Sequence, residues 1–408
     1  MVVTGLGVVS PVGNNATDFF DSLMSGKSGV RVLSSPFSEK LSIRIAAEVD
    51  FDPSQHFSRM KLGSLDRFSQ FALVAAKEAV GDSGLVLNDA EKLRAGVHLG
   101  TGIGGVGTIE DGYVEIYTRE LPRIKPLTVL MAMNNAAASQ ISMEYGLKGP
   151  NITYSTACSS SSIAVGEAYR LIRNGYADVM LAGGSEALLT YGTINAWVSL
   201  RTLALPDEKD ASASCKPFSK DRTGLVLGEG AAVLVLEEAG RAIARGAPIY
   251  GELIGYGSAS DACHITKPSV EGQVRTMRLA MEEAGITPGE IDYINAHGTA
   301  TTIGDVVETE AIKEVFGSRA YDIPVTSTKS MHGHMMGATG AVEFMAALLT
   351  MKHKSVPPTI NLDNPDPECD LDYVPNVGRR GLDITTVMSN SFAFGGSNAV
   401  LIAKAFNP

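Results

Sequence analysis

Apolar and polar positions alternate along the 408-residue chain in short strand-sized runs separated by longer stretches of helical period. The opening VVTGLGVVSPVG predicts a strand followed by a glycine turn. ITYSTAC is short and β-branched and predicts another strand. Behind it, SSSSIAVGEAYRLIRNG places Ile163, Ala164, Ala168, Leu171 and Ile172 at helical spacing and stops at Gly175, a residue suited to close a helix. DVMLAGG then predicts a buried strand. The pattern recurs further on: IPVTSTKS is strand-like, and GATGAVEFMAALLTMKHK sets Ala341, Val342, Met345, Leu348 and Leu349 on one helical face before a basic last turn. IYGELIGYGSAS also reopens with a strand and glycine turn, as the N-terminus does. Strand, polar turn and buried helix used twice predict an α/β chain made by internal duplication, with halves 1–245 and 246–408 dividing near Arg245–Gly246.

Composition narrows the class. With 44% hydrophobic and 19% charged residues the chain is globular rather than disordered, and 43 glycines, above the usual share of about 7%, predict many tight turns and close backbone approaches. Lys plus Arg at 34 against Asp plus Glu at 45 gives 34 − 45 = −11, a sign that repels nucleic acid and anionic membranes. Cys158, Cys215, Cys263 and Cys369 form no C-x-x-C pair, so neither a disulfide framework nor a zinc knuckle is expected. The N-terminus lacks a positive leader region, and no apolar run reaches the roughly 18 residues that span a bilayer. A soluble, cytoplasmic protein in a reducing compartment is expected.

Candidate chemistry gathers at strand ends. Cys158 follows one predicted strand and precedes four serines opening a helix, where unpaired backbone N–H groups and the helix dipole favour a thiolate; a buried structural cysteine is the competing reading. DACHITKP, NAHGTATTIGD and KSMHGHMMGATG hold histidines in glycine- or threonine-rich turns. His297 follows the short strand INA, and Lys329 and His334 stand before the second helix. One cysteine, two histidines and a lysine at equivalent strand ends point to one site. A zinc site of His332, His334, His264 and Cys158 is disfavoured because the neighbouring lysine repels a cation. In NSFAFGGSNAV, the Phe394-Gly395-Gly396 turn is suited either to aim N–H groups at a developing oxyanion or simply to join two strands.

Taken together, TACSSSS around Cys158, PFSKDRTGLVLGEGA at 217–231, AHGTATTIGD around His297, STKSMHGHMMGATGAVE around Lys329 and His334, and NSFAFGGSN around Phe394 resemble the β-ketoacyl-[acyl-carrier-protein] synthases of the thiolase superfamily. The likeness spans essentially the whole chain and is nearest the type II elongating condensing enzymes. It implies a thiolase-like five-layered αβαβα fold from two similar halves, a homodimer, and an acyltransferase that elongates a Cys-bound acyl chain by decarboxylative condensation with malonyl-carrier in fatty acid biosynthesis. By the same resemblance Cys158 is the nucleophile, and His297 and His334 are the decarboxylation and condensation pair. Lys329, Asp305, Glu308 and Glu343 support them, and Phe394 is the gate that shares an oxyanion hole with the Cys158 N–H. His264, Thr266, Thr299 and Thr301 line a phosphopantetheine tunnel, while Ile103, Thr128, Met131 and Met133 belong to the acyl pocket. No metal or cofactor is implied beyond the phosphopantetheine of acyl carrier protein, which carries the substrates. Arg59, Lys61, Arg67 and Arg201 are candidates for docking that acidic carrier. His332 departs from the small polar residue many relatives have there. A ketosynthase of a specialised polyketide or polyene pathway shares every catalytic residue. A non-catalytic chain-length-factor subunit is disfavoured by Cys158, a thiolase by the lack of a second catalytic cysteine, and a chain-initiating synthase by His334, where an asparagine is expected.

Overall fold

The computed structural model describes residues 1–407. Ten strands form one mixed sheet: β1 (Val2–Val9), β2 (Ala95–Gly100), β3 (Asn151–Tyr154), β4 (Val179–Glu186), β5 (Gly230–Glu237), β6 (Gly251–Ser260), β7 (Tyr293–Asn295), β8 (Val325–Thr326), β9 (Thr386–Phe392) and β10 (Ser397–Lys404). Their order is β8-β7-β9-β10-β6-β1-β5-β4-β2-β3. Read inward from either edge, each half runs third, second, fourth, fifth, first in its own chain order. The pairing is also the same in both halves, two parallel pairs and then two antiparallel ones. The repeat read from the sequence is therefore present as topology.

The halves meet at a narrow seam, where β1 and β6 pair antiparallel through Val2 with Glu252 and Val3 with Gly251. Five main helices pack around the strands: α1 (Arg67–Ser83), α2 (Ser160–Arg173), α3 (Val270–Ala284), α4 (Gly304–Phe316) and α5 (Thr339–His353). Side chains alternate across a strand, and the core follows that period. Leu234 and Leu236 of β5 and Leu401 of β10 share one cluster with Val165 of α2 and Met345 of α5. Val233 and Val235 turn the other way, onto Phe71 and Ala75 of α1. Val400 and Ile402 likewise turn onto Met277 of α3 and Ile312 of α4. The layers are helix, half-sheet, helix, half-sheet, helix.

Two expectations change in this frame. The one-sided apolar face expected of α5 is too narrow, because every residue from Thr339 to Met351 is buried. The helix lies between two half-sheets, so both of its sides meet apolar surface. The glycine turn expected in IYGELIGYGSAS also does not form, since β6 runs through Gly255 and Gly257; at the N-terminus the expected turn does follow β1, at Ser10–Gly13, while β1 itself runs through Gly5 and Gly7. A Cβ on Gly7 would lie 1.9 Å from the Ala75 carbonyl oxygen of α1, and one on Gly257 would lie 2.2 Å from the Thr276 carbonyl oxygen of α3. These glycines let a helix rest on the strand backbone. No helix among the described residues is long and apolar enough to cross a membrane.

The parallel strands deliver the candidate chemistry to one place. The carboxyl end of β3 leads to Cys158 and α2, that of β7 to His297, that of β8 to Lys329 and His334, and the β9–β10 turn carries Phe394. Crevices at the carboxyl ends of parallel strands are where α/β sheets hold ligands.

Candidate active site

A cavity of about 320 Å³ opens at these strand ends, and Cys158, His297 and His334 form part of its wall. One ligating atom of each of the three lies within 4.8 Å of the other two, and all three residues are buried. The histidine rings stand edge to face with centroids 5.5 Å apart.

Cys158 sits in a 3-10 turn, Ala157–Ser159, that runs directly into α2. Ala157 before it has φ +53°, in the left-handed region that costs a non-glycine residue roughly 1–2 kcal/mol. Ser160 holds this elbow, accepting from the Thr156 N–H at 2.8 Å and donating to the Ala157 carbonyl at 2.7 Å. The backbone N–H groups of Phe394 and of Cys158 itself lie close enough to the sulfur to favour its thiolate. The thiolate expected from the helix dipole is nevertheless not the resting state. Burial pushes the thiol up to about 11, outweighing the pull of the Lys329 ammonium and of the two N–H groups.

The two histidines differ in their hydrogen bonding. His334 Nδ1 accepts from the Met336 backbone N–H at 3.2 Å, with the Thr339 hydroxyl 2.9 Å away. A backbone N–H only donates, so the neutral ring carries its proton on Nε2, and Nε2 is buried without a partner. His334 therefore presents a donor to the cavity. His297 makes no side-chain hydrogen bond to protein at its buried Nδ1, which leaves its tautomer free. Burial, then Lys329 and the other histidine, hold His297 well below its usual range; burial, Lys329 and His332 do the same for His334. Both rings are neutral at physiological pH.

Lys329 does not line the cavity. Its Nζ donates to Glu343 Oε1 at 2.6 Å in a pair that is 1% and 0% exposed. Burial pushes the Glu343 carboxyl up while Lys329 opposes the shift. Lys329 does not pair with Glu308. Glu308 instead accepts from the His297 N–H at 2.8 Å, the Gly298 N–H at 2.7 Å and Asn390 at 3.1 Å, and so anchors the strand end that presents His297. Asp305 stands further back, accepting from the Phe218 N–H at 2.8 Å with Arg222 beside it at 3.7 Å.

His264, Thr266, Thr299, Thr301, Phe394 and Arg201 all line the cavity. His264 Nδ1 accepts the N–H groups of Thr266 and Lys267, and Thr299 and Thr301 share a hydroxyl contact at 3.0 Å. Phe394 stacks on Trp197 at 6.0 Å. Ile103, Thr128, Met131 and Met133 are not in this wall. Thr128 and Met131 are buried in a short helix of their own, and Ile103 and Met133 are exposed elsewhere, so the cavity ends before the expected acyl-pocket floor. Of the docking candidates, Arg59 is exposed and Lys61 pairs with Glu144. Arg67 is a structural residue instead: it grips buried Glu229 through two bonds and lies 4.6 Å over the Phe71 ring. His332 faces away, bonded to the Gly333 carbonyl and the Thr328 hydroxyl, so the three-ligand group is not the one first weighed for zinc.

Sequence reasoning missed two residues. Arg222 is buried inside the 217–231 motif and donates to the Thr301 and Thr302 carbonyls at 3.0 and 2.7 Å and to Asp366, which shapes the threonine wall. Its place in the 217–231 motif, directly before the glycine-rich stretch, was the available signal. Glu186 ends β4 fully buried and accepts from the Ile103 N–H at 3.2 Å and the Gly337 N–H at 3.0 Å, joining the loop after β2 to the His334 loop. A carboxylate closing a buried strand was the signal there.

The family model for the N-terminal domain of β-ketoacyl synthase matches residues 1–242, and that for the C-terminal domain matches residues 250–363. The chain is 43% identical to a 3-oxoacyl-[acyl-carrier-protein] synthase 2 of Synechocystis, covering 100% of this chain and 98% of that one, and equally so to one from Staphylococcus aureus. A structure of a β-ketoacyl synthase from Burkholderia phymatum superimposes with a TM-score of 0.92 at 35% identity, covering 100% and 99% of the two chains. So does a structure of a type II PKS acyl-carrier protein in complex with its ketosynthase, with the same TM-score, identity and coverage. With both halves matched and relatives aligned end to end, this chain belongs to the β-ketoacyl synthase family.

Proposed function

We propose that this protein is a 3-oxoacyl-[acyl-carrier-protein] synthase that lengthens an acyl chain by two carbons in fatty acid biosynthesis. The observation that carries the reading is a buried thiol beside two neutral imidazoles in one cavity, one of them locked as an Nε2–H donor. The Cys158 sulfur attacks an acyl thioester. Its proton passes to His297, the ring with a free tautomer, and then to the departing carrier thiolate. The tetrahedral oxyanion is held by the Cys158 and Phe394 N–H groups, a contact typically worth about 3–4 kcal/mol per donor. Malonyl thioester then loses carbon dioxide, and His334 and His297 N–H groups hold the enolate oxygen. The enolate carbon attacks the Cys158 thioester, releasing the 3-oxoacyl product. The thiolate takes up one proton, which balances the cycle.

Decarboxylation supplies the carbon nucleophile, so this reaction needs no redox cofactor. The Lys329 charge, which disfavours protonation of both histidines, equally disfavours a cation bound among Cys158, His297 and His334. In the same reading the substrates ride on the phosphopantetheine of acyl carrier protein and the enzyme is a cytoplasmic homodimer. Support for an oligomer comes from the open edge of β3, where Asn151 and Ile152 are exposed. The 43% identity to 3-oxoacyl synthase 2 sequences, against 35% to the polyketide ketosynthase structure, favours fatty acid elongation over a specialised pathway. The test is incubation with malonyl-carrier and a ladder of saturated acyl-carrier thioesters, with product mass measured. A 3-oxoacyl product two carbons longer is expected. Absence of condensation with every member refutes the reading.

A further inference from the structure

We propose that Trp197 is a positioning residue for acyl transfer to Cys158: its indole stacks on the Phe394 ring and so keeps the Phe394 backbone N–H aimed at the sulfur. This deepens the reading above and rests on it. The Phe394 N–H lies beside the Cys158 sulfur, and Phe394 shares the cavity wall with Cys158, His297 and His334. The turn that carries this donor does not fix it by backbone alone. Gly395 and Gly396 follow it with φ +82° and +73°, and a Cβ on Gly395 would meet nothing within 4 Å, so no side chain stiffens the turn there. Gly395 N–H donates to the Ile265 carbonyl at 2.8 Å, and the Gly396 carbonyl accepts from the Asp261 N–H at 2.9 Å. Those ties lie after Phe394. The residue that supplies the donor is held through its ring, which stacks on Trp197 with centroids 6.0 Å apart and planes 25° from parallel. With the ring held, the peptide that carries the N–H resists rotation.

Trp197 has the footing to act as that anchor. It stands in the helix Tyr191–Leu200, whose first turn is capped by Thr190, accepting from the Thr193 N–H at 3.3 Å. Glu110 braces the same end, accepting from the Gly192 N–H at 2.9 Å and the Thr190 hydroxyl at 2.6 Å. Ile194, one turn earlier on the same face, is 2% exposed and packs in the apolar cluster that also holds Cys158, Leu203 and Met336. Trp197 packs against that cluster, so the anchor and the nucleophile share one apolar body. In the transfer itself a sulfur–carbonyl bond forms, the carrier thioester bond breaks and the thiol proton leaves on the carrier sulfur. The charge that gathers on the carbonyl oxygen in between is what the aimed N–H holds. The histidine donors that hold the enolate are separate from it, so Trp197 bears on acylation and not on decarboxylation.

The chain has one tryptophan, so its emission reports this contact directly. Phe394→Ala should shift the emission of the folded protein to the red, because the indole loses its partner and gains water. The functional test is the rate of Cys158 acylation by acyl-carrier, set against carbon dioxide release from malonyl-carrier supplied alone. Trp197→Leu keeps an apolar side chain without a ring and should slow acylation about 3- to 10-fold, the worth of one aromatic pair, with decarboxylation within about 2-fold of wild type. Trp197→Phe restores a ring and should recover most of the acylation rate. A general loss of structure would slow both half-reactions together. Unmoved emission in Phe394→Ala, unmoved acylation in Trp197→Leu, equal losses in the two half-reactions, or Trp197→Phe no faster than Trp197→Leu overturns the proposal. Failure of wild-type Cys158 to take an acyl group from any acyl-carrier overturns instead the function on which it rests.

Discussion

Replacing Lys329 with Met tests the support beneath the site. The side chain is 1% exposed, its Nζ lies 2.6 Å from Glu343 Oε1, and the other Glu343 oxygen has no partner. Removing one member of a buried pair typically costs about 3–5 kcal/mol, because the remaining charge has neither water nor a counterion. With an unfolding entropy of about 2.1 cal/mol/K per residue over 408 residues, or roughly 0.86 kcal/mol/K, this is a fall of about 4–6 °C in Tm. Calorimetry measures it directly. Neutralising both members, in Lys329→Met/Glu343→Gln, should recover most of the loss, since buried pairs exchanged for neutral groups of similar size are often tolerated. Activity should not recover with stability. The Lys329 charge lowers the affinity of both histidines for protons, so without it they protonate at higher pH and the acid limb of the decarboxylation profile moves upward. A single variant within about 1 °C of wild type, or a double variant no more stable than the single, refutes the ion-pair argument.

Three further outcomes follow from the same geometry. Alkylation of Cys158 by iodoacetamide should rise with pH toward a midpoint near 11, far above an ordinary thiol, because burial raises it; a midpoint at or below about 8.5 contradicts that. Gly7→Ala and Gly257→Ala should each destabilise by about 3 kcal/mol or more through collision with helix backbone. Gly81→Ala, in open space on α1, should stabilise by roughly 0.5–1 kcal/mol in the same denaturation series. Arg222→Ala frees the Thr301 and Thr302 carbonyls and leaves Asp366 without its partner, so KM for acyl-carrier should rise about 10-fold or more with kcat less affected; equal effects on both would place Arg222 outside substrate positioning.

The repeated strand, turn and helix were legible because β-branched runs and 3.6-residue spacing are local signals, and the strand order of the two halves carries the same repeat. Burial on a second side was not legible. The period of α5 reports one apolar face, while its small residues Ala346 and Ala347 complete a surface that touches another half-sheet. The glycines of IYGELIGYGSAS read as turn residues for a related reason, since nothing local distinguishes a glycine that bends the chain from one that admits a helix. At the site, Cys158, His297 and His334 stood out by residue type in glycine and threonine turns. Their protonation states did not, because desolvation depends on what closes around the sulfur and the rings. The partner of Lys329 and the role of Arg222 lie in the same class, set by contacts across the fold.

The proposed function divides the labour, with Cys158 holding the acyl group while His297 and His334 stabilise the enolate. Carbon dioxide release from labelled malonyl-carrier, with mass detection of acyl-enzyme alongside, measures the two halves separately in Cys158→Gln, His297→Ala and His334→Ala. The account predicts that Cys158→Gln forms no acyl-enzyme and no condensation product yet still releases carbon dioxide, because the amide leaves the histidine donors intact. It predicts that each histidine variant loses on the order of 10²–10³ in decarboxylation rate. Folded Cys158→Gln that releases no carbon dioxide, or histidine variants that decarboxylate at the wild-type rate, would contradict it.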